Sequence, residues 1–194
     1  MSEQHLPIPE FLYHYYELKN GPFRNITEQG PEKGKEIQQN ITEGFNSNRP
    51  PNYIELRFAL EARIKKQFIN KGGIATRNDP FYFTLGECKW AESWYVNPGV
   101  IKIPIAKFNP KHISFTYPDS MVSFQFHDEP KLATYRKNVN GKIYLLNEIK
   151  KEIIDVYGIP SQEKWESEEA MKYDRYIEVQ VWDDRVINEF LSKV

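Results

Sequence analysis

Apolar residues recur along this chain at two spacings. Early on, Ile37, Ile41 and Phe45 lie four residues apart, and Pro31 suits a first helical turn, so the pattern predicts a helix within 27–45. After the polar loop "NSNRPP", Tyr53, Leu56, Leu60, Ile64 and Phe68 form a second helical stripe, ended by Gly72-Gly73. The middle of the chain changes character. "PFYFTL" (80–85), "VIKIPI" (100–105), "HISFTY" (112–117) and "MVSFQF" (121–126) are short, aromatic and β-branched runs bounded by turn-forming residues, which predicts four strands. "CKWAESWY" between the first two fits a brief helix, and Asn140-Gly141 predicts a hairpin between "TYRKNV" and "KIYLL".

Towards the end, Leu146, Ile149, Ile153 and Tyr157 share a helical face that stops at Gly158. Residues 161–172 are charged and read as a loop or a short helix, and "RYIEVQVW" is a clear strand. Asp183 or Asp184 then caps a final helix carrying Val186, Ile187, Phe190 and Leu191. The first aromatic run, 11–16, fits either a strand or one helical turn. Helices early and late with strands between them imply an α+β fold, with helices packed on a mixed or mainly antiparallel sheet. Residues 1–10 read as a loose leader and 11–194 as one globular domain.

Composition narrows the function classes. Across 194 residues the chain is 40% hydrophobic, enough for a packed core. Its formal net charge of -1 argues against a broad nucleic-acid footprint, which needs clustered Lys and Arg. The one cysteine, Cys88, excludes an internal disulfide and fits a reducing compartment. No apolar run approaches a membrane span, and Glu3, Pro7 and Pro9 do not make a secretory leader, so the expectation is a cytoplasmic protein. The Asn25-Ile-Thr27 and Asn40-Ile-Thr42 triplets are then chance matches to a glycosylation pattern.

Phosphate loops, nucleophile elbows and zinc motifs are absent from the sequence. "HDE" at 127–129 reads as a solvated turn rather than a metal site, and Cys88 as a buried residue rather than a nucleophile. Arg57 and Glu61, four apart, read as a helix-surface ion pair, and "SFTYPDS" (114–120) as a strand end in turn chemistry. On the last strand, alternation sends Ile177, Val179 and Val181 to a buried face. Tyr176, Glu178, Gln180 and Trp182 then share the other face, as either a half-exposed sheet surface or a ligand wall. On 11–16 read as a strand, His14 shares a face with Leu12 and Tyr16, as a structural or a ligand-contacting histidine.

Two resemblances follow from quoted motifs. "HYYE…GPF", "E…F…KGG", "YFTLGECKW", "ISFTY" and "YIEVQVWDD" resemble a set of Bacillus group-specific proteins over most of the chain; that likeness implies no activity. "LYHYYELKNGPFRNITEQG" and "YIEVQVW" are similar to the opening and the final catalytic strand of diphtheria-toxin-like ADP-ribosyltransferases. That second resemblance implies an NAD-using enzyme with Glu178 catalytic against the nicotinamide ribose, His14 against the adenosine ribose and Tyr82 stacking on the ring. No metal is expected, because the four scattered histidines have no ligand spacing and the cysteine is single. The alternative is a non-catalytic module that binds a small molecule or a protein through an aromatic face at Tyr176 and Trp182.

Overall fold

A computed structural model describes residues 6–39, 49–131, 135–159 and 176–192. Five strands form one sheet in the order β3-β1-β2-β5-β4: β1 (Phe11–Glu17), β2 (Phe81–Leu85), β3 (Pro98–Pro104), β4 (Ile113–Thr116) and β5 (Glu178–Val181). Every ladder between them is antiparallel. With helices on both faces, this is the expected α+β fold.

Four of the strands match the sequence pattern; the "MVSFQF" run does not. It lies in helix α4 (Ser120–Asp128), where Asp119 accepts a hydrogen bond from the Val122 amide at 3.0 Å as the N-cap. Ser120, Ser123 and Phe124 are its buried positions, at helical spacing, so the aromatic composition of the run was a poor guide to its period. Among the described residues the expected Asn140-Gly141 hairpin does not form. The turn is present at 137–141, but the described segment after it meets the sheet through a single bridge, Tyr144 to Phe115. The Gly141 amide bonds Ser123 of α4 instead, and a Cβ on Gly141 would stand 2.3 Å from the His127 ring.

The remaining helices follow the sequence more closely. They are α1 (Pro31–Gln39), α2 (Tyr53–Asn70), α3 (Lys89–Glu92) and α6 (Arg185–Leu191). Between α4 and α6, α5 opens at Leu146–Glu148, widens into the π-helical turn Ile149–Ile154 and closes as Asp155–Tyr157 before Gly158. The expected continuation of α1 beyond Gln39, and the charged stretch 161–172, lie outside the described residues.

The sheet separates two interiors. One face carries Leu12, Phe81, Phe83, Ile101, Ile103, Val179 and Val181, packed against Ile149, Ile153 and Ile154 of the π-helical turn and Ile187 of α6. The other face receives α2 and α4, whose Leu60, Ile64, Phe68 and Phe124 surround Trp182. Trp182 is fully buried and its indole stacks on Phe68 at 5.9 Å. Burying each of these large side chains contributes about 2 kcal/mol. The half-exposed face expected around Tyr176 and Trp182 therefore does not exist: residues 176–183 are all buried.

On α2 the buried face is turned away from the stripe expected. Leu56 is 43% exposed, whereas Arg57 and Glu61 are buried beside Leu60, Ile64 and Phe68. At 100° per residue Arg57 lies about 20° from Ile64 around the helix and Leu56 about 80°. The Arg57–Glu61 pair belongs to the interior.

Candidate functional site

Between α2, α3, α4 and the sheet lies a cleft of about 1380 Å³. Its floor is set by strand register. Glu178 pairs with Thr84 on one side and Thr116 on the other, and Thr84 pairs with Tyr13, so these four side chains share a face. Asp119 follows β4 three residues after Thr116, at the start of α4, and borders the same cleft. Arg57 reaches the cleft from α2.

The Glu178 carboxyl is held by a chain of side chains whose directions are mutually fixed. The Trp182 indole N–H donates to Ser114 Oγ at 2.9 Å, and Ser114 donates to Gln180 Oε1 at 2.8 Å. With its oxygen so engaged, the Gln180 amide must turn its Nε2 towards Thr116 Oγ1 (3.1 Å) and Glu178 Oε1 (2.9 Å). The Tyr176 hydroxyl completes the set on Glu178 Oε2 at 3.4 Å. These donors are neutral. Among the described residues no Lys or Arg forms an ion pair with Glu178 or Asp119.

Arg57 makes its ion pair with Glu61, Nε to Oε1 at 3.1 Å. Glu61 also accepts from the Tyr82 hydroxyl at 2.9 Å and from Thr27 Oγ1 at 2.8 Å. The guanidinium lies 3.9 Å above the Tyr82 ring. Burial raises the Glu61 carboxyl, and Arg57, Thr27 and Tyr82 hold that rise in check. Arg57 is thus paired with Glu61 and acts on Glu178 and Asp119 only through space, so among the described residues those two carboxyls have no ion-pair partner. Asp119 registers this: burial, and next the neighbouring Glu178 charge, push its carboxyl up to about 7 against its bonds to α4 amides and the pull of Arg57. Tyr176 is raised by burial, Asp119 and Glu178 in turn.

Aromatic rings line the cleft beside this centre. Tyr13 and Tyr15 stack at 6.2 Å, Trp90 meets Trp94 at 4.8 Å, and Trp90 lies 5.9 Å from Tyr176. Cys88 sits behind them, fully buried, accepting from the Ala91 amide as the N-cap of α3. His127, Asp128 and Glu129 are exposed, with Asp128 paired to Arg63. Among the described residues no group of three His, Cys, Asp or Glu could hold a metal.

All three expected site residues border this cleft, but they reach it from two faces of the sheet. Glu178 is on the cleft floor, but His14 projects from the opposite face of the sheet, beside Phe83 and stacked at 4.5 Å on Phe23. It reaches the cleft border only where β1 and β2 part, after the pairs Leu12–Leu85 and Tyr13–Thr84. There the ring replaces the missing ladder: Nδ1–H donates to the Tyr82 carbonyl and Nε2 accepts from the Phe23 amide, both at 2.9 Å. Both nitrogens are spent on backbone, and burial lowers the imidazole pKa to about 4. Tyr82 is equally committed, its ring covered by Arg57 and its hydroxyl bound to Glu61. His14 and Tyr82 therefore build the cleft, and the residues that sequence reasoning missed are Arg57 and Asp119. Helix phase marks Arg57 as interior, and an N-cap reading of Pro-Asp-Ser marks Asp119.

No family model matches this chain, and no curated protein or solved structure matches it either.

Proposed function

We propose that the cleft is the active site of an NAD-using enzyme with ADP-ribosyltransferase-like chemistry, in which Glu178 is the essential carboxylate. The observation that carries this reading is a buried Glu178, oriented by Gln180 and Tyr176 and left without a cationic partner, on the floor of an aromatic-walled cleft. Breaking the bond between the ribose anomeric carbon and the nicotinamide nitrogen sends the electron pair out with nicotinamide and develops positive charge on the sugar. A fixed carboxylate that lacks a counter-ion stabilises that charge more than it stabilises the ground state. The acceptor's lone pair then forms the new bond to the ribose, and its proton passes to Asp119 or to water. The NAD contacts differ from those the resemblance implied, since His14 and Tyr82 are engaged with the protein itself.

The test is release of free nicotinamide on incubation with NAD. The protein releases it, and E178Q loses most of that activity while keeping its fold. A protein that neither binds nor cleaves NAD at millimolar concentration contradicts the proposal. A second reading, a ligand-binding module without turnover, is favoured by how completely Arg57, Glu61 and Tyr82 are locked together. It predicts saturable ligand binding with no nicotinamide released.

A further inference from the structure

The two edges of the sheet are finished differently. Beside β4, Phe115 and Tyr144 exchange both backbone hydrogen bonds, so the chain itself covers part of that edge. Beside β3 no strand among the described residues lies outside. Which backbone groups are left over there follows from the register. The Ile105 amide donates to the Glu10 carbonyl at 2.8 Å, and the Leu18 amide to the Asn97 carbonyl at 3.0 Å. Stepping inwards by twos from either pair gives Leu12–Ile103, His14–Ile101 and Tyr16–Gly99, which are therefore the hydrogen-bonded pairs of the β1–β3 ladder. Val100 and Lys102 must then turn their N–H and C=O groups outwards, and among the described residues these groups bond to nothing else. The other outward positions, Pro98 and Pro104, have carbonyls but no N–H.

Lysine on an edge strand ordinarily keeps other strands away. Here it does not stand guard, because Lys102 Nζ lies back over the Phe11 ring at 4.0 Å and near Tyr13 at 5.5 Å, inwards across β1. The edge is also apolar: Val100 is 52% exposed, and Val96 and Leu18, which adjoin through the Leu18–Asn97 bond, are 55% and 58% exposed. We infer that β3 pairs antiparallel with the β3 of a second copy of this chain, about a two-fold axis at Ile101. In that register Val100 of each copy lies opposite Lys102 of the other, and every outward N–H and C=O of those residues is used. Pro98 falls opposite Pro104, where neither residue has an N–H to strand. A two-fold at Lys102 would set the two lysines face to face, and one at Val100 would set Lys102 against Pro98, which has no N–H to give. The antiparallel crossing also brings Val96 of each copy beside the exposed Ala106 of the other. The pairing does not depend on the proposed chemistry.

The experiment is sedimentation equilibrium on the intact protein, paired with amide exchange read by NMR. A reversible dimer of twice the 23.0 kDa chain mass is expected as the concentration approaches about a millimolar. From dilute to concentrated protein, exchange at the Val100 and Lys102 amides should slow about tenfold or more, while the Ile101 and Ile103 amides, already bonded to β1, should not change. V100P and K102P each remove one outward N–H without touching the β1 ladder, and each should weaken the dimer about tenfold or more. K102M, which keeps the N–H and removes only the charge, should dimerise at least as tightly as the parent. A protein that stays monomeric at that concentration would overturn the inference. So would a dimer in which the two amides exchange as they do in the monomer, or proline variants that unfold like the parent and dimerise as tightly. Protection of the two amides only when an extended peptide is added would assign the edge to a foreign strand, and would overturn it as well.

Discussion

His14 and Glu178 occupy the two faces of one sheet, and they solve the problem of a buried polar side chain in opposite ways. His14 becomes neutral, gives each nitrogen one backbone partner and stacks among Phe23, Phe83 and Tyr16. Nothing about it is left unsatisfied. Glu178 keeps company with Asp119 and has only neutral donors of its own. A fold selected for stability alone gains nothing from that arrangement. Full satisfaction marks scaffold, whereas two carboxyls without an ion-pair partner among the described residues, beside an open cleft, leave room for a ligand to supply one.

This contrast can be broken in several places. The largest effect is expected where charges do cancel. E61A strands Arg57 in the interior and should cost about 3–5 kcal/mol in denaturant unfolding, because among the described residues no other carboxylate is paired with that guanidinium. Next, E178Q should lower NAD cleavage about a hundred- to a thousandfold, the range for losing one group that stabilises transition-state charge, while its unfolding midpoint holds or rises.

The imidazole side should answer to acid. With a folded pKa of about 4 below the unfolded 6.5, the contribution of His14 is complete above pH 6.5 and lost as pH falls towards 4. The loss is roughly 3 kcal/mol over that window, and H14N should flatten that part of the pH–stability curve. Asp119 runs the other way. Its folded pKa lies above the ordinary value, so its ionisation weakens the fold as pH rises from about 4 to 7. D119N should therefore stabilise the protein by up to roughly 4 kcal/mol more at pH 8 than at pH 4, which thermal unfolding at the two pH values would show.

Elements with a clean period were readable from sequence. The alternation in "YIEVQVW" and the four-residue spacing in α2 located β5 and its facing helix. What could not be read was the second partner of each surface. Alternation says which residues of β5 share a face, but both faces are covered here, so Tyr176 and Trp182 are interior and Glu178 lines a cleft rather than an open surface. The Arg57–Glu61 pair looked like ordinary helix decoration because spacing alone does not report burial; the drift of the stripe past Leu56 held that information. "MVSFQF" was misread because aromatic content outweighed the cap before it, and the misreading hid Asp119 as well. The meeting of Asp119 with Glu178 depends on β4 pairing with β5 across more than sixty residues of chain, which no local pattern encodes.

Carbon-13 NMR titration of the side-chain carboxyl groups tests the central claim most directly. Asp119 should titrate near pH 7 in the unaltered protein and move part of the way down in E178Q, where burial still holds it up but its neighbour's charge has been removed. An Asp119 that titrates near pH 4 in both proteins would mean that the two acids do not share one buried centre, and would contradict the account.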